Sequence, residues 1–266
     1  MRSSAALLAS LVAISLAGVP AQDKTPAAVD PTLPDQITKL KTMVKDKSME
    51  QDFLAMNLVT AMTEKFADKN PKDQRAVVAA LGDVFKLGPI RPVDKLQLYR
   101  TATDALGLCG EEAATTLRKT FELDRLGDKD FTSLRAAIVI AIGKTKDEKQ
   151  ADWLLETAMR CPDDEVAAAA GEALSNYDFL PMAKTKDICK RLIGRYGEID
   201  MKARQPQSND PNAPIDFGPQ NAAKTLEWVA ARWNATLTHL TGETHQQAAE
   251  WQRWLNKNKD WERKRK

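Results

Sequence analysis

The sequence predicts an all-α protein: an α-solenoid of about five antiparallel helix pairs with a C-terminal capping helix. Three observations predict it. Leu134, Ala137, Ile138, Ala141 and Ile142 fall at i, i+3, i+4, i+7 and i+8, and Val166, Ala169, Ala170, Ala173 and Leu174 repeat that spacing 32 residues later. Each set draws one apolar stripe along one helix face. A third stripe, Leu98, Ala102, Ala105 and Leu106, begins 36 residues before the first. Helix pairs therefore recur at roughly 32–37 residues, the period of stacked helical repeats. The chain has no strand-period alternation that would supply a sheet.

The elements follow in order. Pro26, Pro31 and Pro34 make residues 22–34 a non-helical spacer. Asp35 caps a first helix carrying Ile37, Leu40, Met43 and Val44 on one face. Ser48 and Gln51 form a capping box for a second, with Leu54, Leu58, Ala61, Met62 and Phe66 inward. Asn70 caps and Pro71 opens the third helix, whose stripe is Val77, Ala80, Leu81, Val84 and Phe85, and Gly88-Pro89 closes it. After the Leu98 helix come residues 111–123 and 130–143, joined by a polar turn around Gly127. Thr145 and Glu148 form the next capping box, ahead of a helix with Trp153, Leu154 and Ala158, and the 165–177 helix follows. Ile188, Leu192 and Tyr196 share one side of a ninth helix.

The rhythm then breaks. Residues 200–220 hold Pro206, Pro211, Pro214 and Pro219 and little apolar content, a long exposed loop. Its partner helix spans 221–240 and stops at Gly242. Thr244 and Gln247 open a terminal helix with Trp251, Trp254 and Leu255. The organisation is thus 1–21 signal peptide, 22–34 spacer, 35–199 solenoid, 200–220 loop, 221–260 Trp-rich capping helices and 261–266 basic tail.

The signal peptide reading rests on Arg2, the apolar run of residues 5–17 and the small-residue site Val19-Pro20-Ala21. Cleavage near Ala21 makes the mature chain exported, periplasmic or extracellular. No later stretch reaches the ~20 apolar residues of a membrane span. With 39 basic and 37 acidic residues, the balance gives no nucleic-acid footprint. The last ten residues carry six basic and two acidic side chains, a local +4 suited to an anionic envelope surface. Export places Cys109, Cys161 and Cys189 in an oxidising compartment. An odd count allows at most one internal bridge, with three pairings open, and the simpler reading is three small buried hydrophobes.

The phrases Leu134-Arg135-Ala136-Ala137 with Ala141-Ile142-Gly143, and Val166-Ala167-Ala168-Ala169-Ala170 with Glu172-Ala173-Leu174, resemble HEAT repeats. They are similar to the short bacterial HEAT and phycobilisome-lyase-type repeats, whose second helix ends in Ala-Leu-Gly. Gly143 and Leu106-Gly107 fit that ending, and Ser175 departs from it. Leu240-Thr241-Gly242 followed by Trp251-Gln252-Arg253-Trp254 resembles the ending of secreted bacterial HEAT-like proteins. The resemblance implies a superhelical scaffold for protein contacts, and no reaction.

Catalytic motifs are missing. There is no G-x-S-x-G, Walker A, G-x-G-x-x-G or H-E-x-x-H. The two histidines, His239 and His245, flank a turn and do not converge by spacing. Asp163-Asp164-Glu165 and Asp147-Glu148 sit where helix dipoles favour negative charge. The sequence therefore gives no catalytic residue, cofactor or metal. Its interaction candidates are Trp228, Trp233, Trp251, Trp254 and Trp261, with Arg135 and Glu172 as solvent-facing positions on second helices. The tryptophans either seal the open end of the solenoid or form a groove for a peptide or sugar, with Trp261 the most exposed. The leading function is a non-enzymatic exported scaffold binding a protein partner. An envelope carbohydrate or polymer binder using the Trp-rich end is the alternative, and a lyase-type enzyme subunit the remote one.

Overall fold

The computed structural model describes residues 28–206 and 216–262. The signal peptide reading, and residues 263–266 of the basic tail, lie outside the described residues. Among those described are eleven α-helices and no strand: α1 (Leu33–Val44), α2 (Asp52–Thr63), α3 (Pro71–Val84), α4 (Gln97–Leu108), α5 (Glu111–Phe121), α6 (Thr132–Lys144), α7 (Ala151–Arg160), α8 (Asp164–Ala173), α9 (Met182–Ala203), α10 (Gly218–Thr241) and α11 (Ala248–Lys257). They pack in chain order as a solenoid-like stack of two layers. The second helices run α2–α4–α6–α8–α10, each against the next. In the first-helix layer α1 packs on α3, α3 on α5 and α7 on α9, and α11 lies on α9.

Side-chain volume explains the stacking of the second helices. A Cβ at Gly107 of α4 would stand 3.2 Å from the Ala141 Cβ of α6. One at Gly143 of α6 would stand 2.7 Å from the Ala173 Cβ and 2.8 Å from its carbonyl oxygen, on α8. One at Gly171 of α8 would stand 2.0 Å from Trp233 Nε1 on α10. Each helix pair in this run is thus closed by a glycine that admits its neighbour's backbone or ring. The stripes Leu98–Leu106, Leu134–Ile142 and Val166–Leu174 lie in these contacts and are buried except Ala137, which is half-buried. A fully buried Leu such as Leu98 or Leu134 contributes about 1.5–3 kcal/mol relative to exposure. The first-helix layer is filled by larger groups. Phe121 of α5 meets Trp153 of α7 edge-on with ring centroids 5.3 Å apart, and Arg118 lies 5.3 Å from the Trp153 ring.

Asn70 caps α3 as its sequence implies: its side chain accepts from the Lys72 and Asp73 N–H groups at 3.0 Å. Gly242, in the left-handed region at φ 79°, ends α10.

Other boundaries differ. The Ser48–Gln51 box does not form; α2 starts at Asp52, and Ser48 instead bonds Asp46. The phase of α2 is also one residue off the predicted stripe: Ala55, Val59 and Met62 are buried while Leu54 is exposed. Thr145 does not open a helix. Its hydroxyl donates to the Ile142 carbonyl at the end of α6, and Asp147 caps the following turn by accepting from the Lys149 N–H. The capping box of α11 is Gln247 with Glu250, three residues beyond Thr244. Residues 200–203 continue α9 and Gly218 already begins α10, with Pro219 in its first turn, so the connection is shorter than 200–220. The end of the spacer is docked: the Asp30 N–H donates to Asp73 Oδ2 at 2.8 Å, and Asn70 Nδ2 to the Ala28 carbonyl.

Candidate functional site

α8 and α10 meet closely because Gly171 admits Trp233, and this contact opens a groove beside it. Trp228, Arg232, Ala235 and His239 recur at steps of 4, 3 and 4 residues, one stripe along α10. The groove has a volume of about 820 Å³ and is lined by Glu172, Ser175 and Asn176 at the end of α8, by Lys146 and Asp178 from neighbouring turns, and by Arg232, Ala235 and His239 of α10. Arg232 Nη1 donates to Glu172 Oε2 at 3.1 Å, and its guanidinium lies 5.8 Å from the Trp228 ring. His239 Nε2 is 3.6 Å from Asp178 Oδ2. Both pairs are open to solvent, so each holds little stability and can re-pair with an incoming group.

A second, more enclosed cavity of about 400 Å³ lies at the other end of the α8–α10 seam, lined in part by Cys161, Asp164, Arg195 and Trp233. Two of its charged groups have partners within the lining: Thr225 Oγ1 donates to Asp164 Oδ1 at 2.8 Å and Arg195 pairs with Glu198 at 3.0 Å.

The sequence candidates separate into surface and seal. Trp228 is the most exposed of the tryptophans, at 40%. Trp233 and Trp251 are fully buried and Trp254 is half-buried. Trp261, expected to be the exposed one, is 8% exposed and packs on Trp254 with ring centroids 5.4 Å apart. The reason is that the chain after α11 folds back over the aromatic cluster, where Trp254 also meets Trp251 edge-on at 5.9 Å. Trp251 Nε1 donates to Asn234 Oδ1 at 2.7 Å, and Asn234 Nδ2 donates to the Gln246 carbonyl at 2.9 Å. These bonds fasten α11 and its entry to α10, so four of the five tryptophans are packing groups at the end of the stack.

Arg135 is not a free surface residue. Its Nη1 donates to Asp163 at 2.8 Å and its guanidinium lies 4.5 Å from the Phe121 ring, tying α6 to the α7–α8 turn and to α5. Glu172 does face the groove, paired with Arg232. Sequence reading missed Arg232, Asp178 and Lys146. The α10 stripe was a usable signal for Arg232; the other two sit in turns with no periodicity.

His239 lies in the groove, while His245 sits against Trp251 at 4.7 Å. They belong to separate surroundings. Among the described residues no group of three or more His, Cys, Asp or Glu is placed to hold a metal ion, and no helix is long and apolar enough to cross a membrane. All three cysteines are free thiols. Burial pushes the Cys109 thiol up to about 12 and that of Cys161 up as well. Cys109 is buried in the α4–α5 turn and Cys161 is half-buried in the wall of the smaller cavity. A thiol reagent at neutral pH is therefore expected to label Cys161 slowly and Cys109 not at all in the native chain. Rapid modification of Cys109 under native conditions would contradict that placement.

Glu250 reports on the seal. Backbone N–H groups of Gln246 and Gln247 donate to its carboxylate and hold its pKa below the ordinary glutamate range. Because the folded value is depressed, the contribution is present above the unfolded value of about 4.3 and is lost as pH falls through the folded value. Acidification is expected to weaken the entry to α11, read as a red shift of tryptophan emission. Glu250→Gln should abolish that acid step, and a step of equal size in the variant would show another group responsible.

Compared with known proteins, the chain matches no family model, no curated protein and no solved structure. The fold and the groove define an all-α, solenoid-like protein with a polar cleft between its last two second helices.

Proposed function

We propose that this chain is an exported, non-enzymatic scaffold of the HEAT-repeat kind, and that it holds a protein partner in the α8–α10 groove. The observation carrying the reading is the α10 stripe. Arg232 lines the groove and lies 5.8 Å from the exposed Trp228 ring one turn earlier on α10, and Trp and Arg are the residues that most often dominate protein interfaces. Glu172, Asp178, His239, Asn176 and Lys146 supply both donors and acceptors around them. Export rests on the apolar run of residues 5–17 and the Val19-Pro20-Ala21 site. A glycan reading draws less support, because stacking on sugars needs open rings and only Trp228 among the C-terminal tryptophans is exposed.

The test places a photo-crosslinking residue at Ala235, in the groove, or at Ala183, exposed on α9. Irradiation in an extract of the source cells should give one specific protein adduct at Ala235 and none at Ala183. Equal adducts at both, or an adduct at Ala183 alone, would sink the groove reading.

A further inference from the structure

A third cavity, of about 650 Å³, lies in the first-helix layer and shares no lining residue with the two at the α8–α10 seam. Leu108, Glu111 and Glu112, around the start of α5, and Asp147, Lys149 and Gln150, in the turn before α7, wall it. Two independent observations there call for the same kind of ligand. The first is Gln150, which is 5% exposed. Its amide is held in one orientation, because Nε2 donates to Asp147 Oδ2 at 2.9 Å and the reverse would set oxygen against carboxylate oxygen. The amide oxygen is left over, and no group among the described residues donates to it. A buried acceptor without a donor is destabilising, and native proteins leave few of them so. The second is charge. The walls hold three carboxylates, of Glu111, Glu112 and Asp147, against the one ammonium of Lys149. Glu111 and Glu112 are exposed, and neither belongs to an ion pair among the described residues. Their place in the first turn of α5 suits the helix dipole. That accounts for their sign and leaves the Gln150 oxygen unexplained.

We propose that this cavity binds the cationic end of an alkyl chain, an ammonium or guanidinium that donates an N–H to Gln150 Oε1 while Glu111 and Glu112 balance its charge. Each part of such a ligand answers something in the walls. The N–H satisfies the unpaired oxygen. The positive charge meets the excess of carboxylates. The stem has apolar surface to lie on, since Leu108 is 77% exposed and half-buried Phe66 also lines the cavity. An anion is opposed by both observations, and a hydrocarbon would leave Oε1 unpaired. A metal ion fits less well, because no three acidic, His or Cys side chains among the described residues converge to hold one. The same chemistry is carried by a lysine or arginine side chain of a protein and by a free alkylamine.

The test is nuclear magnetic resonance of the full chain, titrated to about 10 mM with each of two probes. One is n-butylammonium; the other is a capped pentapeptide with arginine at its centre. At least one should shift the side-chain amide signals of Gln150 saturably, at about millimolar concentration or below. A shift with the peptide alone assigns the cation to a protein side chain, and a shift with n-butylammonium as well shows that a free amine suffices. The same peptide with norleucine at its centre should leave the signals unmoved. Glu111→Gln combined with Glu112→Gln, both at exposed positions, should weaken binding about fivefold or more with an unchanged melting curve. Gln150→Met should abolish it, and where that variant folds poorly the double variant decides. Gln150 signals that stay still with both probes overturn the proposal. So does an equal shift with the norleucine peptide, or an affinity indifferent to the double variant.

Discussion

Gly171→Ala is expected to destabilise the chain by about 3 kcal/mol, at the upper end of the cost of overpacking a core. The new Cβ would lie 2.0 Å from Nε1 and 2.5 Å from Cδ1 of Trp233, a fully buried ring. No end of a flexible side chain stands in the way; the indole itself must move, and α10 with it. The melting temperature should fall by roughly 6–12 °C for a chain of this size, and the groove should lose its shape because Arg232 and Trp233 share a helix. Gly194→Ala is the control. Gly194 lies within α9, and its Cβ would meet nothing within 4 Å. There, alanine should stabilise by about 0.5–1 kcal/mol through helix propensity alone. Equal effects at the two sites would refute the close approach of α8 and α10.

Asp52→Ala should cost about 3–5 kcal/mol, the penalty for stranding a buried charge. Arg91 is fully buried and donates to both Asp52 oxygens, at 3.2 and 2.8 Å, and to the carbonyls of Pro89 and Val44 at 3.0 and 2.9 Å. Burial works against the guanidinium charge, but hydrogen bonding to and the charge of Asp52 outweigh it, and the pKa of Arg91 is raised. The intrinsic basicity of a guanidinium keeps Arg91 charged when its partner is removed. It also joins the α1–α2 corner to the α3–α4 connection, two successive repeats. Arg91→Met should cost less, because the carboxylate left behind can reach solvent. Chemical denaturation of both single variants and the double variant gives the coupling directly. A coupling under about 0.5 kcal/mol would show the pair to be incidental.

The fold was legible because the apolar stripes of α4, α6 and α8 have the helical period and recur together. The small residues in those stripes also announced close packing, and Gly107 and Gly143 realise it. What the sequence hid was mostly local. Two S/T-x-x-E/Q phrases, at Ser48 and Thr145, had the composition of capping boxes. Their hydroxyls went to a nearby turn and a helix end, because Asx-type side chains at Asp46 and Asp147 competed for the same role. α2 was misphased because residues 53–63 hold no charged side chain to mark the outer face, and apolar residues lie on both sides. The candidate site was legible only in part. Tryptophans were singled out by type, yet type does not separate Trp228 from Trp261. Burial does, and burial depends on how the chain after α11 returns over Trp254. Arg135 and Glu172 were chosen by position on second helices. Only the tertiary pairing with Asp163 and Arg232 separates the tie from the surface residue.

The most direct measurement is the affinity of the protein captured at Ala235 for the wild-type chain and for Arg232→Glu. That change reverses the charge facing Glu172 and removes the cation beside Trp228, while leaving the buried face of α10 untouched. A loss of about tenfold or more, with an unchanged melting curve, is what a partner held in the α8–α10 groove predicts. Equal binding by the two chains would contradict it.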